Sequence, residues 1–402
     1  MAVVCSKGDW FVSSCSSTLV AVNLKQTSEP FVFDCAKAEK RPKETEGNNK
    51  SSEGGSKEKD SDRILGFAVS ASGNHIALTD DHKRLVLFCT EPTWQCVSTR
   101  WVVRRGTSLV FTQAEDEVYV ADKSGDVYSF SVLEPQKPGE LKLGHVSMLL
   151  SVTLSPDDKY IITADRDEKI RVSFRRAPYN IQAFCLGHRE FVSTLLVPAG
   201  HPDWLLSGSG DGTMKIWHYE TGRRLQSVDV RQLGILQNSD ADTEKVPCIC
   251  LRFPFVQLFL VDAGTESCLN PAETLALPHA PWDMTFDSQN QLWLLLESED
   301  INVLLYRYSE QHWKLCDTET PELKRVTEAL QAQANVFKGS VGLESQFKHL
   351  YKVTFDNMAS YLQKKQERLE QQSKKRTAKG SKHNVGGKKI KKESSPVPQS
   401  TS

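Results

Sequence analysis

Four short segments repeat along this chain: KRLVLF (Lys83–Phe88), GDVYSF (Gly125–Phe130), EKIRVS (Glu168–Ser173) and GTMKIW (Gly212–Trp217). Their last residues lie 42, 43 and 44 positions apart. A period of about 40 to 45 residues is the mark of propeller blades, each a four-stranded antiparallel sheet set around a common axis. The repeat therefore predicts an all-β propeller, a fold that presents surfaces more often than it performs chemistry.

The interior of the repeat carries the WD pattern. Gly144-His145 precedes Ser173 by 28 residues, and Gly187-His188 precedes Trp217 by 29. Between His188 and Trp217 lie two strand-like runs, Phe191 to Val197 and Trp204 to Ser207, and the turn Ser209-Gly210-Asp211-Gly212. In such a blade His188, Ser207, Asp211 and Trp217 form a buried hydrogen-bonded chain. Each polar group left unpaired in that position would cost about 1–3 kcal/mol. This structural role outweighs a catalytic reading of the same His/Ser/Asp composition.

The period extends to weaker blades. Phe31-Val32-Phe33 reads as the third strand of a first blade, 55 residues before Phe88, with an insert between. Asn302 to Tyr306 reads as the same strand of the last blade, 89 residues after Trp217, and His279 resembles a degenerate Gly-His. A sixth blade must lie between, with strands Cys248 to Phe253 and Val256 to Val261. Its third strand is poor, because Asp262 to Leu269 runs into Asn270-Pro271, which resists a central ladder position. The expected architecture is a seven-bladed WD-repeat β-propeller over residues 1–318, with a helical extension over 319–375 and a disordered basic tail over 376–402.

Composition sets the segments apart. Residues 36–63 hold 15 charged residues, no aromatic, and only Ala36 and Ala38 as apolar side chains. They are expected to form a disordered loop between blades, with a shorter polar loop at Asp240 to Lys245. Phe347, Leu350, Tyr351, Phe355, Met358, Tyr361 and Leu362 recur at helical steps and predict a helix over 347–362, its apolar face on the propeller or a partner. No apolar h-region follows Met1 and no apolar run approaches 18 residues, so a soluble, non-secreted protein is expected. Its ten cysteines show no metal-site spacing and read as reduced core thiols.

The net charge of −1 hides an asymmetry: residues 361–402 carry +9, leaving −10 on the rest. A basic tail on an acidic body suits nuclear import or nucleic-acid contact. The candidate residues are Lys374, Lys375, Arg376, Lys388, Lys389, Lys391 and Lys392, and the expected location is the nucleus. No H-E-x-x-H, G-x-S-x-G or P-loop occurs. The glycine-rich Gly208–Gly212 run leads into a strand, so no helix N-terminus follows to receive a phosphate.

Four strings are more specific than the blade pattern: LSPDDKYIITADRDEKIRVS (Leu154–Ser173), VADKSGDVYSFSVLEP (Val120–Pro135), LTDDHKRLVLF (Leu78–Phe88) and LYKVTFDNMASYLQKKQERL (Leu350–Leu369). From Phe31 to Leu369 the chain resembles the non-catalytic WD-repeat subunit of the tRNA (guanine-N7-)-methyltransferase. The resemblance implies a heterodimer with a Rossmann-like catalytic subunit. That partner binds S-adenosylmethionine and methylates N7 of a guanosine in the tRNA variable loop, while this chain stabilises it and needs no cofactor of its own. It also implies docking through Arg166, Asp167, Glu168, Lys169 and Arg171. Alternating charges on a turn suit oriented pairing, although Asp167 as the turn carboxylate and Arg171 as an intra-blade ion pair have structural explanations. Two alternatives are a ubiquitin-ligase substrate receptor, disfavoured by His218-Tyr219 after Trp217, and a chromatin or peptide reader, compatible with the acidic body.

Overall fold

The repeat segments form strands because their apolar residues pack on both faces of each sheet. The second strand of one blade, Tyr160–Asp165, is buried at every position. The computed structural model describes residues 2–39, 62–198, 200–230, 255–261, 269–310, 312–342, 347–352, 358 and 361–370. They fall into two units, Met1–Tyr351 and Lys352–Ser402.

The first unit is a propeller. Among the described residues it holds six four-stranded antiparallel sheets and one two-stranded sheet. Blade one comprises Val3–Lys7, Trp10–Cys15, Thr18–Asn23 and Phe31–Asp34; blade two Ile64–Val69, His75–Asp80, Arg84–Cys89 and Gln95–Trp101. Blade three comprises Gly106–Phe111, Glu117–Asp122, Asp126–Ser131 and Glu140–Gly144; blade four Leu149–Leu154, Tyr160–Asp165, Ile170–Phe174 and Ala177–Cys185. Blade five comprises Val192–Leu196, Trp204–Ser209, Thr213–His218 and Arg223–Asp229. The last comprises Pro281–Phe286, Leu292–Leu296, Asn302–Ser309 and His312–Leu315. All four opening repeats are third strands.

The core lies between blades. Val12 and Leu19 of blade one pack with Leu78, Val86 and Phe88 of blade two, and Ile162, Ile170 and Val172 of blade four pack with Leu205 and Trp217 of blade five. Full burial of each such side chain contributes about 1.5–3 kcal/mol.

Several expectations change. Seven complete blades become six among the described residues, because the sixth position shows only Phe255–Val261 paired with Leu269–Ala276. Pro271 does enter that second strand, opposite Phe259, where the register shifts and no regular donor is needed. Cys248 to Phe253 and Asp240 to Lys245 lie outside the described residues. Phe31 to Phe33 belong to the fourth strand of blade one, not the third. The tight turn at Ser16, φ 51°, starts the third strand at Thr18, and Phe33 pairs with Leu19 on its outer side.

The insert is held at both ends. Within the expected loop 36–63, Cys35–Lys37 is a 3-10 helix capped by Asp34. The fully buried Arg84 donates to the Cys35 and Ala38 carbonyls at 2.9 and 3.2 Å and pairs with Asp62 at 3.0 Å. Residues 40–61 lie outside the description.

Blade one and the last blade, blade seven, are each built from one continuous stretch of chain, so among the described residues no exchanged strand closes the ring. Closure rests instead on Asp283, whose carboxylate accepts the Val4 N–H at 2.8 Å, and on Thr285, which accepts the Ser6 N–H at 3.0 Å. Two helices then cover the seam: α1, Pro321–Gln331, and α2, Ala334–Lys338. Leu323, Val326, Leu330 and Phe337 pack on Val20 and Val22 of blade one and on Trp293 and Leu305 of blade seven.

The helix expected over 347–362 is interrupted. Lys348–Leu350 is a single 3-10 turn and Tyr351 is extended, while residue 358 and residues 361–370 are helical. The Leu350 carbonyl accepts from Arg166 Nε at 2.9 Å. Phe347 and Tyr351 pack on the propeller through Phe191, stacked at 6.0 Å and edge-on at 5.0 Å. In the second unit Met358, Tyr361, Leu362 and Leu369 are exposed.

Candidate partner-docking site

The turn between the second and third strands of blade four has the length of its neighbours, Ala164 pairing with Ile170 as Thr79 pairs with Leu85 and Ala121 with Val127. Asp165 N–H donates to the Lys169 carbonyl at 3.0 Å, closing a loop of three residues. The last loop residue, Glu168, has φ 59°. Lys83, Gly125 and Gly212 occupy the same place in blades two, three and five, with φ 65°, 98° and 75°. Glycine adopts that left-handed conformation freely, whereas a side chain there costs about 1 kcal/mol. Blades two and four both bear that strain, and blade four presents a carboxylate there.

Asp165, and not Asp167, is the turn carboxylate. Its Oδ1 accepts the Lys169 N–H at 2.9 Å, and Oδ2 lies 3.0 Å from His145 Nδ1. His145 Nε2 reaches Thr163 Oγ1 at 2.8 Å, completing a buried chain that the sequence reading missed. The Gly144-His145 signal was visible, but Ser173 stands where a terminal tryptophan would have marked it. Asp167 and Glu168 are half-buried beside it, and Lys169 is exposed with Nζ 3.2 Å from the Asp167 carbonyl.

The two arginines are tied to the fold. Arg166 donates through Nε to the Leu350 carbonyl at 2.9 Å and through Nη2 to the His349 carbonyl at 3.5 Å. It thus braces the loop against the arm after the last blade, a structural role the sequence reading did not give it. Among the described residues Arg171 makes no ion pair. It donates to Ser173 Oγ, the Gly144 carbonyl and the Pro178 carbonyl at 2.9, 3.0 and 2.9 Å, and burial lowers its guanidinium pKa.

Blade five holds the full hydrogen-bonded chain. His188 Nδ1 lies 3.1 Å from Asp211 Oδ2, His188 Nε2 lies 2.7 Å from Ser207 Oγ, and Trp217 Nε1 donates to Ser207 Oγ at 2.8 Å. Burial holds His188 below its ordinary pKa despite the pull of Asp211. Asp211 is held low against its own burial by bonds from His188, Thr213 and the Arg189 N–H. The pair is therefore a neutral imidazole on an ionised carboxylate. Ser207 Oγ is enclosed by its two partners and has no open approach for a substrate, so the constellation braces the blade. The last blade does not repeat it: His279 is exposed, and Trp293 Nε1 bonds Asp287 at 2.9 Å instead.

Gly208–Gly212 leads into the strand Thr213–His218. Among the described residues, no group of three or more His, Cys, Asp or Glu could hold a metal ion, and the seven described cysteines are free thiols. No described helix is long and apolar enough to cross a membrane. The tail candidates Lys374, Lys375, Arg376, Lys388, Lys389, Lys391 and Lys392 lie outside the described residues.

Repeated four-stranded blades, two buried histidine–carboxylate chains and charged turns between strands define a WD-repeat propeller. Its sequence matches the family described as tRNA methyltransferase TRM82 WD40 domain over residues 16–142 and 134–314, and the chain belongs to that family. It is 74% identical to the tRNA (guanine-N(7)-)-methyltransferase non-catalytic subunit wdr4 of Danio rerio over 100% of both chains. It is 44% identical to the tRNA (guanine-N(7)-)-methyltransferase non-catalytic subunit WDR4 of Homo sapiens, covering 83% of this chain and 82% of that one. Among solved structures, a chain of a mitotic checkpoint complex crystal structure superposes with a TM-score of 0.57 at 12% identity, covering 78% of this chain and 87% of that one, a likeness of fold alone.

Proposed function

We propose that this chain is the non-catalytic scaffold subunit of a tRNA (guanine-N7-)-methyltransferase. It binds a Rossmann-like catalytic subunit as a heterodimer and holds it in the arrangement that methylates a guanosine of the tRNA variable loop. The partner supplies the S-adenosylmethionine site, and this chain contributes rigidity and a docking turn. The nucleus is its proposed location, with the lysine runs at Lys374–Arg376 and Lys388–Lys392 as import signals.

The observation that carries the docking assignment is Glu168, a carboxylate kept at a left-handed position where blades three and five use glycine and blade two a lysine. Backbone strain retained on a projecting turn has its best account in what the turn binds. Arg166 and Arg171 position that turn from either side, so the proposed contact residues are Asp167, Glu168 and Lys169. Family likeness supports the reading, and so does the closed chemistry of the His188 and His145 chains.

Reversing both charges, Glu168→Lys with Lys169→Glu, tests it. The variant propeller should melt within a few degrees of the native chain yet recover much less catalytic subunit on copurification. Unchanged recovery would place docking elsewhere.

A further inference from the structure

Between blades two and three a cation is buried without a counter-charge. Arg100 and Ser98 stand on the outer strand of blade two, Gln95–Trp101, and are 6% and 5% exposed. They pair across the sheet with Leu85 and Leu87, which are fully buried in the apolar cluster that also holds Phe130 and Val132 of blade three. Directly opposed residues share one face of a sheet, so Arg100 and Ser98 point into that cluster. The guanidinium carbon stands 5.2 Å from the centre of the Phe130 ring.

Only part of the guanidinium is engaged. Nη1 donates to the Ser131 carbonyl at 2.7 Å and to the Lys137 carbonyl at 3.5 Å, both in blade three. Arg100 Nε, Arg100 Nη2 and Ser98 Oγ are buried with no hydrogen-bond partner among the described residues. Burial alone moves the Arg100 pKa, down to about 10, so the group stays charged at neutral pH and no carboxylate pulls it back.

An isolated buried charge is costly, and arginine does not escape by losing its proton. Two carbonyl dipoles and a ring face offset part of the cost without cancelling the charge. Nε and Nη2 form one edge of the planar group, and their parallel N–H bonds can grip an anion from the side. The Ser98 hydroxyl, two residues along on the same face, supplies a further donor. Leu85, Leu87 and Val132 make the surroundings apolar, which favours a small singly charged ion over a large or multiply charged one that is costlier to dehydrate.

We propose that Arg100 and Ser98 form a binding site for a small monovalent anion, chloride being the abundant one, buried between blades two and three. The ion neutralises the guanidinium, and Nη1 in turn holds the third-to-fourth-strand turn of blade three against blade two. The stability of the propeller then depends on which anion is present. The site stands apart from the docking turn and does not rest on that reading.

The test is thermal unfolding of the full chain at one ionic strength, with sodium gluconate replaced stepwise by sodium chloride. Gluconate is too large for a site closed by two blades. The melting temperature should rise by about 3 °C from about 1 to about 150 mM chloride, and bromide should act as chloride does. Arg100→Met should fold, because an apolar replacement of a buried charge is often neutral, and should lose the response. Ser98→Ala should keep it with the midpoint moved to about fivefold higher chloride. In bromide-soaked crystals of the native chain an anomalous peak should lie within hydrogen-bond distance of Nε and Nη2. A native melting temperature indifferent to the anion, as a water on that edge would give, overturns the proposal. So does a response that survives in Arg100→Met, or the lack of the bromide peak. If Arg100→Met fails to fold, the Ser98→Ala midpoint decides, and an unshifted midpoint overturns the site.

Discussion

At the residue scale, two side chains show how the propeller divides between stability and presentation. Ser207 accepts from Trp217 and bonds His188 in a buried site. Ser207→Ala leaves two buried nitrogens without partners and should cost about 3 kcal/mol. Chemical denaturation should show a lower midpoint at constant slope; an unshifted midpoint would deny the chain its structural role. Glu168 should behave in the opposite sense. Glu168→Gly relieves the left-handed strain and should raise stability by about 1 kcal/mol while weakening capture of the catalytic subunit. If the glycine variant is both no more stable and fully competent to dock, Glu168 carries neither strain nor contact. The His188–Asp211 set was legible because its spacing and residue types follow the blade pattern. Asp165 was not, because it stands at the end of the second strand, as Asp80 and Asp122 do in blades two and three, two places before the Asp211 position from which the pattern was read, and only its bonds to His145 and Lys169 reveal it.

At the element scale, strands were readable wherever apolar runs recur at the blade period, whereas the helices were read only as an extension over 319–375 without bounds for α1 and α2. Leu323, Val326, Ala329 and Leu330 follow helical spacing after Pro321, a favourable first helical residue, yet no repeat drew attention to them. The 347–362 stripe has helical spacing, but Arg166 captures a carbonyl and turns the segment into an arm. That arm is a designed contact: a Cβ on Gly210 would meet the Phe191 ring at 2.5 Å, and Tyr351 Oη donates to the Gly210 carbonyl at 3.1 Å. Phe347→Ala with Tyr351→Ala should destabilise the propeller by about 2 kcal/mol and expose Phe191. The same variant should weaken docking, since Arg166 loses the carbonyls that brace it. Native stability would show the arm to be a passenger.

At the scale of the whole molecule, the ring closes without strand exchange, so its seam depends on Asp283 and the two covering helices. Burial pushes the Asp283 carboxyl up to about 7. Its pKa is raised above the unfolded value near 4, so the stability it contributes is present at low pH and is lost as pH rises from about 4 to about 7. Asp283→Asn removes this titration. The variant's melting temperature relative to the native chain should therefore increase between pH 5 and pH 8; a constant difference would mean the carboxyl titrates normally. The seam was invisible in the sequence because nothing in WDMTF (Trp282–Phe286) marks an aspartate as the acceptor for Val4, 279 residues away.

A rigid non-catalytic propeller with a catalytic partner proposed to dock on blade four is a division of labour that reconstitution measures directly. Transfer of labelled methyl groups from S-adenosylmethionine to tRNA should be absent with this chain alone, weak with the catalytic subunit alone, and strong when the two are combined. Methyl transfer or cofactor binding by the isolated chain, or full activity of the catalytic subunit without it, would contradict the account.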